Sequence, residues 1–269
     1  MRYNNALRVP PPKNASITRI LNTYPSFSKN ISDNYNVKYH INKFFGFTLS
    51  EVLITLGIIG IVAAMTLPSV IGNAKNKQRS AALKKAYTTL YQAIMISTQE
   101  HGDITEWELP PYHAKGMLNW ANEYIGKYFQ ITSACEDGNT KAPCATSVDR
   151  ICNANNPSNC SSIGLYTALY VLNDGSHIYI FSGGNPVNGK SDFVHILIDT
   201  NGIHKPNLFG KDVFTFTLSL SNNKKPFQSY PSPDNESRES LLNTCKNSSS
   251  QCSGLLQYDN WEFKKDYPW

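Results

Sequence analysis

The side chain that most needs an explanation is Glu51, the one charged residue in an apolar run from Phe47 to Ala74. That run of 28 residues contains no Lys, Arg or Asp. At about 1.5 Å per residue, a helix of this length crosses a hydrocarbon core of about 30 Å with length to spare for tilt. A carboxylate carried into such a core costs on the order of 3 kcal/mol and is normally kept because something positive meets it. The run itself offers no cation. Cutting the backbone between Gly46 and Phe47 would create one, because the new α-amino group stands four residues before Glu51 and therefore on the same helical face. The amine could neutralise Glu51 of its own chain or of a neighbouring helix, so helices could join side by side within the membrane.

Other residues could do chemistry further on. All six cysteines, Cys135, Cys144, Cys152, Cys160, Cys245 and Cys252, follow the apolar run. No pair has CxxC spacing and no histidines stand at zinc-ligand spacing beside them, which argues against a thiolate metal site and for disulfides in an oxidising compartment. Cys245 and Cys252 are expected to close a local loop, and the pairing of the other four is open. Asp199-Thr200-Asn201-Gly202, with Asp212 beyond it, sets oxygen side chains two apart before a glycine, as a hard cation requires. The loop lacks a third Asp or Asn and a closing Glu, and an Asx turn between two strands accounts for the same residues. His177, His195 and His204 lie on or near strand-like segments without an HExxH or GxSxG motif, so no catalytic site is assigned and an enzyme is not expected. Trp107, Tyr112, Trp120, Trp261 and Trp269 could line a sugar-binding face, but core and edge packing is the commoner use of such residues.

Gly46-Phe47-Thr48-Leu49-Ser50-Glu51, followed by the apolar run, resembles the processing signature of type IV pilins and type II secretion pseudopilins. The resemblance covers roughly residues 46 to 100. It implies that a prepilin peptidase cuts after Gly46, that Phe47 becomes the N-methylated N-terminus, and that Glu51 aids docking of each subunit into a filament. It further implies other pilin or pseudopilin subunits, an inner-membrane assembly platform and membrane lipid as partners. The fold implied is α+β and pilin-like, a long N-terminal helix packed on an antiparallel sheet. Major pseudopilins carry calcium in a C-terminal loop, which makes Asp199, Asn201 and Asp212 the calcium candidates here.

Three segments follow from this reading: a cytoplasmic leader of residues 1–46 that is removed, a transmembrane and assembly helix of residues 47–74, and an extracytoplasmic domain of residues 75–269. The leader holds Arg2, Arg8, Lys13, Arg19, Lys29, Lys38 and Lys43 against one acid, Asp33, and has no apolar core of its own before Gly46. It is long beside the short basic leaders of the family. Of 25 basic and 20 acidic residues, 18 and 19 remain once the leader is set aside, so the formal +5 becomes −1 and no basic field for nucleic acid exists. The positive-inside rule points the wrong way, with Lys29, Lys38 and Lys43 before the helix and Lys75, Lys77, Arg79, Lys84 and Lys85 after it. The cleavage signature and the placement of the cysteines outweigh it. The expected protein is a single-pass protein of the bacterial inner membrane whose outer domain later enters a filament. A membrane-anchored binding or adhesion protein that does not polymerise is the alternative.

Coarse periodicity completes the expectation. Leu83, Ala86, Tyr87, Leu90, Tyr91, Ile94 and Met95 form a helical stripe that carries the helix on to His101. Pro68 cannot donate to the carbonyl of Ala64, so a kink or local melting is expected there. Gly57, Gly60, Ala63 and Ala64 give a small-residue face for close helix approach. A short helix is expected over residues 115–128 and a loop over 132–163. Strands are expected over 164–172, 176–182, 192–199 and 212–220, with Asn173-Asp174-Gly175 as a hairpin turn and the tail 258–269 as an edge strand.

Overall fold

The computed structural model describes residues 46–136, 150–161, 166–184, 186–202, 204–221 and 224–269. Residues 1–45, Cys144 and part of the Asn- and Ser-rich stretch lie outside them. The chain divides into two compact units, Met1–Ile54 and Thr55–Trp269. In the first, the described part is the start of helix α1, which runs Leu49–His101.

The second unit is α+β, with the later turns of α1 packed on a sheet. Leu83, Ala86, Leu90, Ala93, Ile94 and Ser97 of α1 are buried, at steps of three and four that keep them on one face. That face lies slightly off the expected stripe: Tyr91 and Met95 are exposed, while Ala93 and Ser97 turn inward. Small side chains at 93 and 97 let the helix lie close to the sheet, where larger ones would hold it off. The helix is continuous through Pro68. The lost amide bond falls in a stretch whose side chains are mostly exposed, so little packing has to rearrange around it.

After α1 come α2 (Met117–Tyr124), β1 (Ile131–Glu136), β2 (Ile151–Asn153), β3 (Asn156–Ser161), β4 (Thr167–Leu172) and β5 (His177–Ser182). These are followed by β6 (Phe193–Asp199), β7 (Leu208–Phe209), β8 (Val213–Ser219), β9 (Phe227–Ser229), α3 (Arg238–Asn247) and α4 (Ser253–Tyr258). Among the described residues nine strands form one sheet in the order β1-β4-β5-β6-β8-β7-β2-β3, with β9 also on β8. The long pairs β4–β5, β5–β6 and β6–β8 are antiparallel, and the short β7 pairs parallel with both β2 and β8.

Strands β4, β5, β6 and β8 are rich in Ile, Val, Phe, Tyr and Thr, which suit a pleated buried surface. Alternate residues face α1: Tyr170, Ile178, Ile180, Ile196, Ile198, Phe214 and Phe216 join the helix face in one core. The opposite face carries Leu169, Tyr179, Leu197 and Val213 with Ile151 of β2. Both faces are therefore covered. The expected hairpin turn is present: Gly175 takes φ +84° and Asp174 Oδ1 accepts from Ser176 N at 3.1 Å. Lys85 of α1 reaches Asp174 Oδ2 at 2.7 Å.

Two expectations are corrected. Residues 132–163 are not one loop, since most of β1 and all of β2 and β3 lie within them. β3, Asn156–Ser161, is polar and mostly exposed, so it has no apolar alternation to announce it. The tail is not an edge strand. Asn260 and Trp261 take positive φ of 55° and 67°, which breaks an extended course, and the tail is pinned by side chains instead. Trp261 lies on Tyr87 with ring centroids 4.7 Å apart, and Tyr267 donates its hydroxyl hydrogen to the carbonyl of Gly210. Arg238 binds Asp259 through Nε at 2.7 Å and Asp266 through Nη1 at 2.7 Å, fastening α3 to the tail.

Candidate functional site

Thr48 and Glu51 form a reciprocal cap at the start of α1. Thr48 N donates to Glu51 Oε2 at 2.8 Å, Thr48 Oγ1 donates to the same oxygen at 2.9 Å, and Glu51 N donates to Thr48 Oγ1 at 3.2 Å. This is the arrangement of a Thr at the N-cap with an acid three residues on, satisfying amides that have no partner within the helix. Thr48 is a polar partner and not a cation, so the charge of Glu51 is still unanswered within the run. The signal was legible as Thr48-Leu49-Ser50-Glu51, and Thr48 is the functional residue that pattern reading passed over. Both bonds from Thr48 go to Oε2. An amine at Phe47 or in a neighbouring helix could approach Oε1 while the cap stays closed.

The fold places no steric demand on Gly46: a Cβ there would meet nothing within 4 Å. Any requirement for glycine therefore belongs to recognition by a peptidase. Phe47 is 87% exposed. Leu49, Leu53, Ile58, Ile59, Met65 and Val70 are exposed as well, and α1 is the helix among the described residues long and apolar enough to cross a membrane. Cβ atoms at Gly57 and Gly60 would also meet open space.

The calcium candidates are brought together but are already engaged. Asp199 Oδ1 accepts from Asn201 N at 3.1 Å and Gly202 N at 2.9 Å. Asp212 accepts from Leu208 N at 2.6 Å, Asn207 N at 3.0 Å and Asn201 Nδ2 at 3.0 Å. Asp199 Oδ2 and Asn201 Oδ1 are left without partners, whereas calcium takes about six to eight oxygens. As placed, these residues form an Asx turn that ties the β6 end to the β7–β8 turn. Burial pushes the Asp199 carboxyl well above its ordinary range, and the nearby charge of Asp212 adds to this. A proton on Asp199 would remove the charge whose burial is costly.

The histidines do not converge. Burial lowers His177 and His195, which lie on β5 and β6, and His195 is ringed by Phe181, Phe193 and Tyr230. Trp107, Trp120 and Trp261 are buried in the core, so they present no open platform. Disulfides join Cys152 to Cys160 across the β2–β3 hairpin and Cys245 to Cys252 beside α3. Cys135 is also disulfide-bonded.

A family model described as a family of unknown function, DUF6613, matches residues 69–269, which is most of the chain. The chain belongs to the DUF6613 family. Residues 41–67 separately match the prokaryotic N-terminal methylation motif. This DUF6613 member thus begins its helix with a type IV pilin-like prepilin motif, and the match spans Gly46, Phe47, Thr48 and Glu51. No curated protein and no solved structure matches the chain.

Proposed function

We propose that this protein is a structural subunit, a pilin or pseudopilin, of a type IV pilus or a type II secretion-like filament, and that it is not an enzyme. A prepilin peptidase removes the leader after Gly46 and the freed Phe47 is methylated. The chain waits in the bacterial inner membrane as a single-pass protein with residues 75–269 outside, then passes through an inner-membrane assembly platform into the filament. Other pilin-type subunits are its partners.

The observation that carries this reading is the joining of three features on one helix. The methylation motif lies at its start, a bare apolar stretch follows, and the later turns are buried in a folded domain. A simple anchor needs the apolar stretch alone. A filament subunit also needs a group that finds the next helix, and the exposed Glu51 supplies it.

The test separates cutting from joining. Gly46→Glu leaves the domain folded and blocks removal of the leader, read as a mass larger by the leader. Glu51→Ala leaves removal intact and lowers recovery in sheared filaments by at least about tenfold, the equivalent of about 1.4 kcal/mol in docking. Filament recovery of Glu51→Ala equal to that of the unaltered chain would sink the proposal.

A further inference from the structure

Between Glu51 and Glu100 helix α1 carries no acidic residue, yet Lys75, Lys77, Arg79, Lys84 and Lys85 follow the apolar run in close order. Lys85 is accounted for by its ion pair with Asp174. Arg79 reaches Asn76 Oδ1 at 3.5 Å and lies within electrostatic range of Asp212. Lys75 and Lys77 are exposed and, among the described residues, have no acidic partner.

At about 100° per residue, Lys75 and Arg79 lie some 40° apart, while Lys77 stands on the opposite side of the helix. The three cations thus surround the axis within about 6 Å of its length. A partner protein meets a helix from one side, whereas a layer of lipid headgroups surrounds it. The residues just before them, 55–74, form an exposed apolar cylinder about 30 Å long, the thickness of a hydrocarbon core. Lys75 therefore falls at phosphate depth. Residues 86–269 hold 13 basic and 18 acidic residues, so this part of the chain carries a net −5 that an anionic surface repels.

We propose that Lys75, Lys77 and Arg79 form a collar that binds the phosphate groups of anionic phospholipids in the leaflet from which the folded domain emerges. The inference rests on reading the apolar run that ends at Ala74 as a membrane span. The collar offsets the repulsion between an acidic domain and an anionic membrane, and it holds the subunit at a fixed depth before assembly.

The test uses the full chain reconstituted in vesicles of phosphatidylcholine alone or with phosphatidylglycerol, treated with a water-soluble amine-acylating reagent and read by mass spectrometry. Lys75 and Lys77 should label about fivefold more slowly in the anionic vesicles, as about 1 kcal/mol per basic residue implies, and the protection should fade as salt rises. The exposed Lys115 should label equally in both. Lys75→Gln with Lys77→Gln should abolish the preference for phosphatidylglycerol among lipids that co-purify. Equal labelling in the two compositions overturns the collar. So does protection in phosphatidylcholine that grows with protein density, which would assign the cations to a second copy of the chain. If the chain fails to float with either vesicle, the span itself is wrong.

Discussion

Residues 55–74 and 83–97 belong to one helix and differ in what surrounds them. In the first stretch Ile58, Ile59, Leu67 and Val70 are exposed on every side, while in the second a single face is buried to zero or a few per cent. The backbone is the same, so the pattern of side chains reports the environment. A helix apolar all round is suited to lipid or to other helices like itself, and a one-sided helix is suited to a sheet with water beyond. Within residues 55–101 the helix thus changes from an apolar, exposed stretch to one with a single face packed in the domain.

The largest effects should come from trying to break that contrast. Leu90→Ala or Ile94→Ala, at fully buried positions, should cost the domain about 2–5 kcal/mol in denaturant unfolding, whereas Ile58→Ala in the same assay should cost under about 0.5 kcal/mol. Equal losses would mean that the bare stretch packs on something in its own chain. Replacing Cys245 and Cys252 by serine should remove about 2–4 kcal/mol, by freeing the unfolded chain, and leave membrane flotation unchanged.

The smallest effect sharpens the picture of the β6–β8 corner. Because burial raises the Asp199 carboxyl above its ordinary 3.8, its contribution to stability is full below that pH. It declines as pH rises towards the folded-state value, when the buried group must give up its proton. Asp199→Asn should flatten this decline and raise the melting temperature at neutral pH by a few degrees. A steeper decline in the variant would show that Asp199 is ionised in the fold.

How much of this was legible in the sequence follows from the same physics. The alternating apolar residues of β4, β5, β6 and β8, and Asn173-Asp174-Gly175 between the first two, announce buried strands and a hairpin because each side chain must choose a face. β3 faces water on its edge, and α3, Arg238–Asn247, is polar with only Leu241 and Cys245 buried, so neither leaves a readable period. Aromatic residues drew the tail towards an edge strand, but Trp261, Phe263 and Tyr267 are used one by one as plugs around turns. At the helix start the methylation motif was readable because a lone acid in an apolar run is conspicuous. Thr48 was overlooked because a capping hydroxyl looks ordinary until its hydrogen bonds are seen.

We propose that proteolysis after Gly46 makes the amine that answers Glu51. Mass spectrometry of the protein purified from its native membrane tests it most directly. The account predicts a chain beginning at Phe47 and heavier there by one methyl group. A chain that keeps residues upstream of Phe47 and still enters filaments normally would contradict it.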